Sequence, residues 1–179
     1  MKSFFRPFYR SIFSIFIASF FFYACDDGEI VLKDFDFEAI PLQTCGPAGN
    51  YVFYKVNNTS FESLSLKFAN GVYLYPEPHT SSFPLNNSTI YVNYRRYDGR
   101  VENNYFCNSV PPSSPKIIDE YTAVSGEVIF EVTFREEENK LYKDVHLILK
   151  DVLLNKEKEQ IILQTLDFGK IEGVETIDL

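Results

Sequence analysis

The chain has 179 residues, 45% of them hydrophobic and 23% charged, which suits one globular domain and excludes wholesale disorder. Its formal net charge of −8 is unevenly placed, because Lys2, Arg6 and Arg10 stand in the first 25 residues without an acid, leaving the rest more acidic than the total. That balance excludes recognition of a phosphate backbone, which needs Lys and Arg to neutralise phosphates, so nucleic acid is not an expected partner.

The first element is an address. Lys2, Arg6 and Arg10 form a basic leader, Ser11–Ala24 carries no charge, and the small Ala24 precedes Cys25. A basic region, an apolar region of this size and a small residue describe a secretory signal over 1–24. The apolar stretch is short for a permanent span, which needs about 20 residues. The run Phe22-Tyr23-Ala24-Cys25 resembles the lipobox of bacterial lipoproteins, in which the Cys is diacylated and becomes the new N-terminus. Ala24 and Cys25 agree with that pattern, whereas Phe22 and Tyr23 depart from its usual Leu and Ala, Ser or Thr. With Cys25-Asp26-Asp27-Gly28 behind it, this relaxed form is similar to lipoproteins of Bacteroidetes. The resemblance implies lipidation at Cys25, a short acidic tether over 25–29, and anchoring in the cell envelope. The outer membrane is the expected site, on its periplasmic or surface face. The alternative is an ordinary secreted protein cut nearby, with Cys25 in a disulfide.

Three cysteines in an exported chain is an odd number. If Cys25 is acylated, Cys45 and Cys107 remain as a pair for one disulfide in an oxidising compartment. Such a bridge closes a loop of roughly 60 residues, with a chain-entropy contribution of about 4 kcal/mol.

From residue 30 to 179 period-two alternation predicts strands. In chain order they are Ile30–Phe37, Tyr51–Val56, Ser63–Phe68, Val72–Tyr75, Ile90–Tyr94, Val128–Phe134, Asp144–Leu154 and Ile161–Phe168. Leu64, Leu66 and Phe68 are assigned inward with Ser63, Ser65 and Lys67 facing water. Val128, Phe130, Val132 and Phe134, and then Val145, Leu147 and Leu149, are inward as well. Asn57-Asn58, Pro76–Pro78, Asn86-Asn87 and Glu136–Lys140 supply turns. The cluster Lys156-Glu157-Lys158-Glu159 reads as a hairpin tip, and Val110–Pro115 as a loop within the domain. The expected fold is an all-β antiparallel sandwich of about eight or nine strands with one disulfide; a β-barrel is the alternative. The pattern from Ser125-Gly126 through Val128–Phe134, Asp144–Leu154 and Leu166–Gly169 also resembles small lipoproteins of Bacteroidetes, without implying an activity.

The candidate binding patch is Tyr91, Tyr94, Arg95 and Tyr97, since Tyr offers a flat face with a polar tip and Arg adds planar donors. Asp34, Asp36 and Glu38 would share one face of a strand, either as a Ca²⁺-type oxygen set or as charges guarding a sheet edge. The edge reading is preferred, and neither a metal nor a cofactor is expected. His79 and His146 have no sequence signature linking them to a nucleophile, and no nucleophile elbow or zinc-type His pair is present. The expected function is a non-catalytic binding or structural role on a lipid-anchored module, with an unknown protein or glycan as partner. A surface carbohydrate-binding accessory protein and a small envelope hydrolase are the alternatives.

Overall fold

The computed structural model describes residues 29–31, 33, 35–47, 49–68, 77–85 and 89–178. The leader, Cys25, Asp34, and the expected strand at 72–75 lie outside the described residues. The strands are β1 (Glu29–Val31), β2 (Gln43–Cys45), β3 (Val52–Asn57), β4 (Glu62–Phe68), β5 (His79–Pro84), β6 (Ile90–Tyr97), β7 (Ile117–Glu137), β8 (Lys140–Lys156) and β9 (Glu159–Asp178). One four-residue helical turn, α1 (Asn104–Cys107), stands between β6 and β7.

All nine strands belong to one sheet, in the order β1-β9-β8-β7-β6-β4-β3-β2, with β5 on the second half of β7. Every pairing is antiparallel except β1 on β9, where Glu29 lies opposite Glu159. The expected all-β fold, strand number and disulfide are present. The packed layers come from one sheet that curls over itself into a half-barrel.

The curl is written into the three long strands. β7 carries bulges between Ala123 and Ser125 and between Ser125 and Glu127, and bulges bend a strand and strengthen its twist. Gly126 sits in that bend with φ +118°, and the facing Asp151 has φ +51°. The first half of β7 therefore pairs with β6 and the second half with β5. The bend lays strands that are not ladder neighbours over one another. The rings of Phe68 on β4 and Phe130 on β7 are 5.1 Å apart, and Lys55 Nζ on β3 lies 5.9 Å from the Phe168 ring on β9.

The concave side holds the main core. Phe53, Leu64, Leu66, Phe68, Val92 and Tyr94 face Val128, Phe130, Leu147, Leu149 and Phe168, all buried. Burying each of the aliphatic members contributes about 2 kcal/mol. A buried cation is accommodated among them: Lys55 Nζ donates to the Phe37 carbonyl at 2.8 Å. Burial pulls its pKa below the usual lysine range, against the opposing pull of Asp167 and Glu38.

Several expectations change. Leu64, Leu66 and Phe68 are buried as assigned, but Ser63 and Ser65 are buried too. The reason is a second, smaller core on the convex side, where Val101, Tyr105 and Phe106 around α1 cover Tyr97 and Val56. Cys107 holds that cover down through its disulfide to Cys45, with Cα atoms 5.7 Å apart. The strand expected over Ile30–Phe37 stops at Val31, and residues 36–39 form a turn. Asp36 and Glu38 are exposed on that turn, so the proposed row of strand carboxylates does not form. Segment 79–84, where no strand is expected, is the edge strand β5; its closing Pro84 is tolerated because an edge strand leaves one N–H side unpaired.

Candidate binding groove

Alternation along β6 decides where the candidate patch goes. Tyr91, Asn93, Arg95 and Tyr97 project to the convex side, whereas Tyr94 projects to the concave core and is fully buried. Tyr97 is also buried, packed edge-on against Tyr105 at 5.1 Å. The four residues therefore do not form one exposed surface. Two of them, Tyr91 and Arg95, line a groove instead.

The groove has a volume of about 770 Å³ and runs between the convex face of the sheet and the disulfide-held α1 segment. Lys67, Tyr91, Asn93 and Arg95 form its sheet side, and Phe106 and the Cys45–Cys107 bridge form the other. Phe106 is fixed by stacking on Tyr54, centroids 4.3 Å apart. Arg95 is fixed by Glu120 at 2.8 Å, while its Nε is buried without a hydrogen-bond partner among the described residues. Chemically the groove offers a phenol ring, the amides of Asn50, Asn93 and Asn108, and two cations. That set matches a ligand rich in hydroxyl or carboxylate oxygens, which a few placed polar groups orient against an apolar wall.

Comparison with protein-family models, with curated proteins and with solved structures gives no match. The chemistry of the site has to come from its own residues.

A second polar cluster, with no signature in the sequence, lies along the rim of the concave side. Lys33 Nζ donates to Glu62 Oε1 at 2.6 Å, and Tyr94 Oη donates to the same oxygen at 2.8 Å. Burial pushes the Glu62 carboxyl up, but the Lys33 and Tyr94 hydrogen bonds outweigh it and hold the group below the usual range. One strand over, Arg96 and Lys156 both bond Asp119, at 2.9 and 2.5 Å. Lys156, followed by burial in the opposite sense, sets a lowered pKa for Asp119. Next to it Tyr121 Oη donates to Glu159 Oε2 at 2.5 Å. The carboxylates Glu62, Asp119 and Glu159 thus each have a donor of their own. The row staples β4, β6, β7, β8 and β9 at one end of the sheet.

His146 does not make a proton relay of the hydrolase kind. His146 gives Nδ1 to Glu131 Oε2 at 2.9 Å and Nε2 to Asp167 Oδ1 at 2.8 Å. Neither nitrogen is left to take a proton from a serine, as the triad geometry requires. Burial opposes its charged form, yet the two carboxylates prevail and raise its pKa. His79 Nδ1 lies 3.0 Å from the Glu77 carbonyl oxygen. Among the described residues no three His, Cys, Asp or Glu side chains are grouped to hold a metal ion.

Proposed function

We propose that the chain is an exported, lipid-anchored protein of the bacterial cell envelope with a non-catalytic binding or structural role. The observation that carries this reading is the Cys45–Cys107 disulfide. Structural disulfides persist in oxidising compartments, and this one uses two of three cysteines, leaving Cys25 of the lipobox-like Phe22-Tyr23-Ala24-Cys25 as the third. An acyl chain on that thiol adds about 0.8 kcal/mol of anchoring per buried methylene, so two or more chains hold firmly.

The groove favours one specific role, the binding of glycan at the cell surface. Tyr91 supplies a face for a sugar ring, and Asn93, Arg95 and Lys67 supply donors for its oxygens.

Growth with an alkyne-bearing palmitate, followed by capture of the protein, tests the anchor. The chain carries the label, and Cys25→Ser loses it and moves from the membrane to the soluble fraction. A wild-type chain without label would overturn the lipoprotein reading.

A further inference from the structure

We infer that the end of the half-barrel carrying Phe61, Ile117 and Ile118 rests on the lipid bilayer surface. The inference builds on the reading that Cys25 is lipidated. Between Cys25 and the first residue of β1 there are four residue steps, and a chain spans at most about 3.6 Å per residue, or about 14 Å here. The start of β1 is thereby tied close to the membrane.

The ladder then fixes which end of the fold this is. Glu29 lies opposite Glu159, the first residue of β9, and Glu159 lies opposite Lys156 across the β8–β9 turn. Lys156 bonds Asp119, two residues into β7. The start of β7 is paired in turn to the end of β6, Ile117 opposite Tyr97, and the Tyr97 N–H donates to the Phe61 carbonyl at 2.9 Å. So the start of β1, the β8–β9 turn, the β3–β4 turn and the start of β7 share one end.

That end leaves large apolar side chains in water: Ile118 is 57% exposed, and Phe61 and Ile117 are 39% exposed. Ile117 and Ile118 open β7, and Phe61 lies in the turn before β4, with the end of β6 between them. The charges around them are balanced, with exposed Arg100, Lys116 and Lys158 interleaved with Asp98, Glu102 and Glu157. The other end of β7 instead carries the exposed run Glu136-Glu137-Glu138, which anionic headgroups would repel. Apolar side chains among balanced charges at the tethered end, and an acidic run at the far end of β7, fit an interfacial seating in which the apolar groups enter the headgroup boundary.

The chain has no Trp, so a single introduced Trp reports its own depth. Full-length Ile118→Trp, Phe61→Trp and Glu136→Trp variants, purified from membranes, are placed in vesicles of phosphatidylcholine and phosphatidylglycerol with brominated acyl chains. The Trp at 118 and the Trp at 61 lose roughly half their fluorescence relative to unbrominated vesicles, as an interfacial depth implies, and the one at 136 keeps it. Protein that floats with the vesicles while the Trp at 118 and at 61 stay unquenched overturns the docking and leaves the tether. Quenching at 136 alone overturns it by reversing the orientation. Chain whose mass shows no lipid on Cys25 refutes the anchor separately. If that unlipidated chain still floats with 118 quenched, the docking end stands without the lipid; if it stays in the supernatant, both ideas fall.

Discussion

A methyl group on Gly126 would lie 2.7 Å from Val152 Cα, 2.9 Å from the Asp151 carbonyl oxygen and 3.0 Å from that of Lys150. These are backbone atoms of the neighbouring strand and have nowhere to go without breaking the ladder. The φ of +118° adds strain for any residue with a Cβ. Gly126→Ala is therefore expected to cost about 3 kcal/mol, read as a lower urea midpoint. An unchanged midpoint would mean that the bend relaxes freely. In the sequence, the expected strand begins only at Val128, two residues after Gly126. What could not be read is that β7 continues through it, because the reason is a backbone contact with Val152, distant in the chain. The same scale explains the binding patch. Tyr91 and Arg95 share a parity and reach the groove, while Tyr94 has the opposite parity and enters the core. Alternation alone makes that division, but which side is covered depends on the fold.

At the scale of elements, α1 is too short to be stable alone, since isolated helices need about 12 residues or more. It is held because Cys107 is bonded to Cys45 on β2, because Phe106 stacks on Tyr54, and because the Asn58 amide bonds Val101 in both directions. Reduction removes the first of these and restores freedom to a loop of 62 residues, for a loss of about 4 kcal/mol. Unfolding with and without reductant is expected to differ by that order. Hydrogen exchange is expected to speed up at 104–108 before it does in β8. Equal exchange in the two forms would show that packing alone seats α1. The strands themselves were legible: β3, β4, β6 and the β8–β9 hairpin lie close to where period-two alternation puts them. The burial of Ser63 and Ser65 was not, since it comes from a cover placed by a cysteine pair 62 residues apart. β5 was missed because His79–Pro84 has only one large apolar residue, Phe83, and its edge position needs no more.

For the whole molecule, the ionisable staples on two parts of the sheet set opposite limits to stability. At the rim, Glu62 and Asp119 have folded pKa values below their usual ones. A depressed carboxyl contributes stability that is present above its unfolded pKa, about 4, and is lost as pH falls through the folded value. On β8, His146 has a folded pKa above its usual one. Its contribution is complete below about pH 6.5 and is lost as pH rises through the raised value. The groups facing His146 are Glu131 and Asp167, with Lys170 opposite on β9 engaged by Asp144 and Glu172. Stability is thus expected to be highest between about pH 4.5 and 6.5, below the range many proteins prefer. Lys55 works in the contrary sense at high pH, because its lowered folded pKa makes the neutral form the better one inside. The histidine arm is therefore read by difference. Urea midpoints of the wild type and His146→Gln converge as pH is taken from 6 to 9, while Glu62→Gln and the wild type converge as pH is taken from 5 to 2. A gap between wild type and His146→Gln that stays constant to pH 9 would show that the two carboxylates hold a neutral imidazole as well as a charged one.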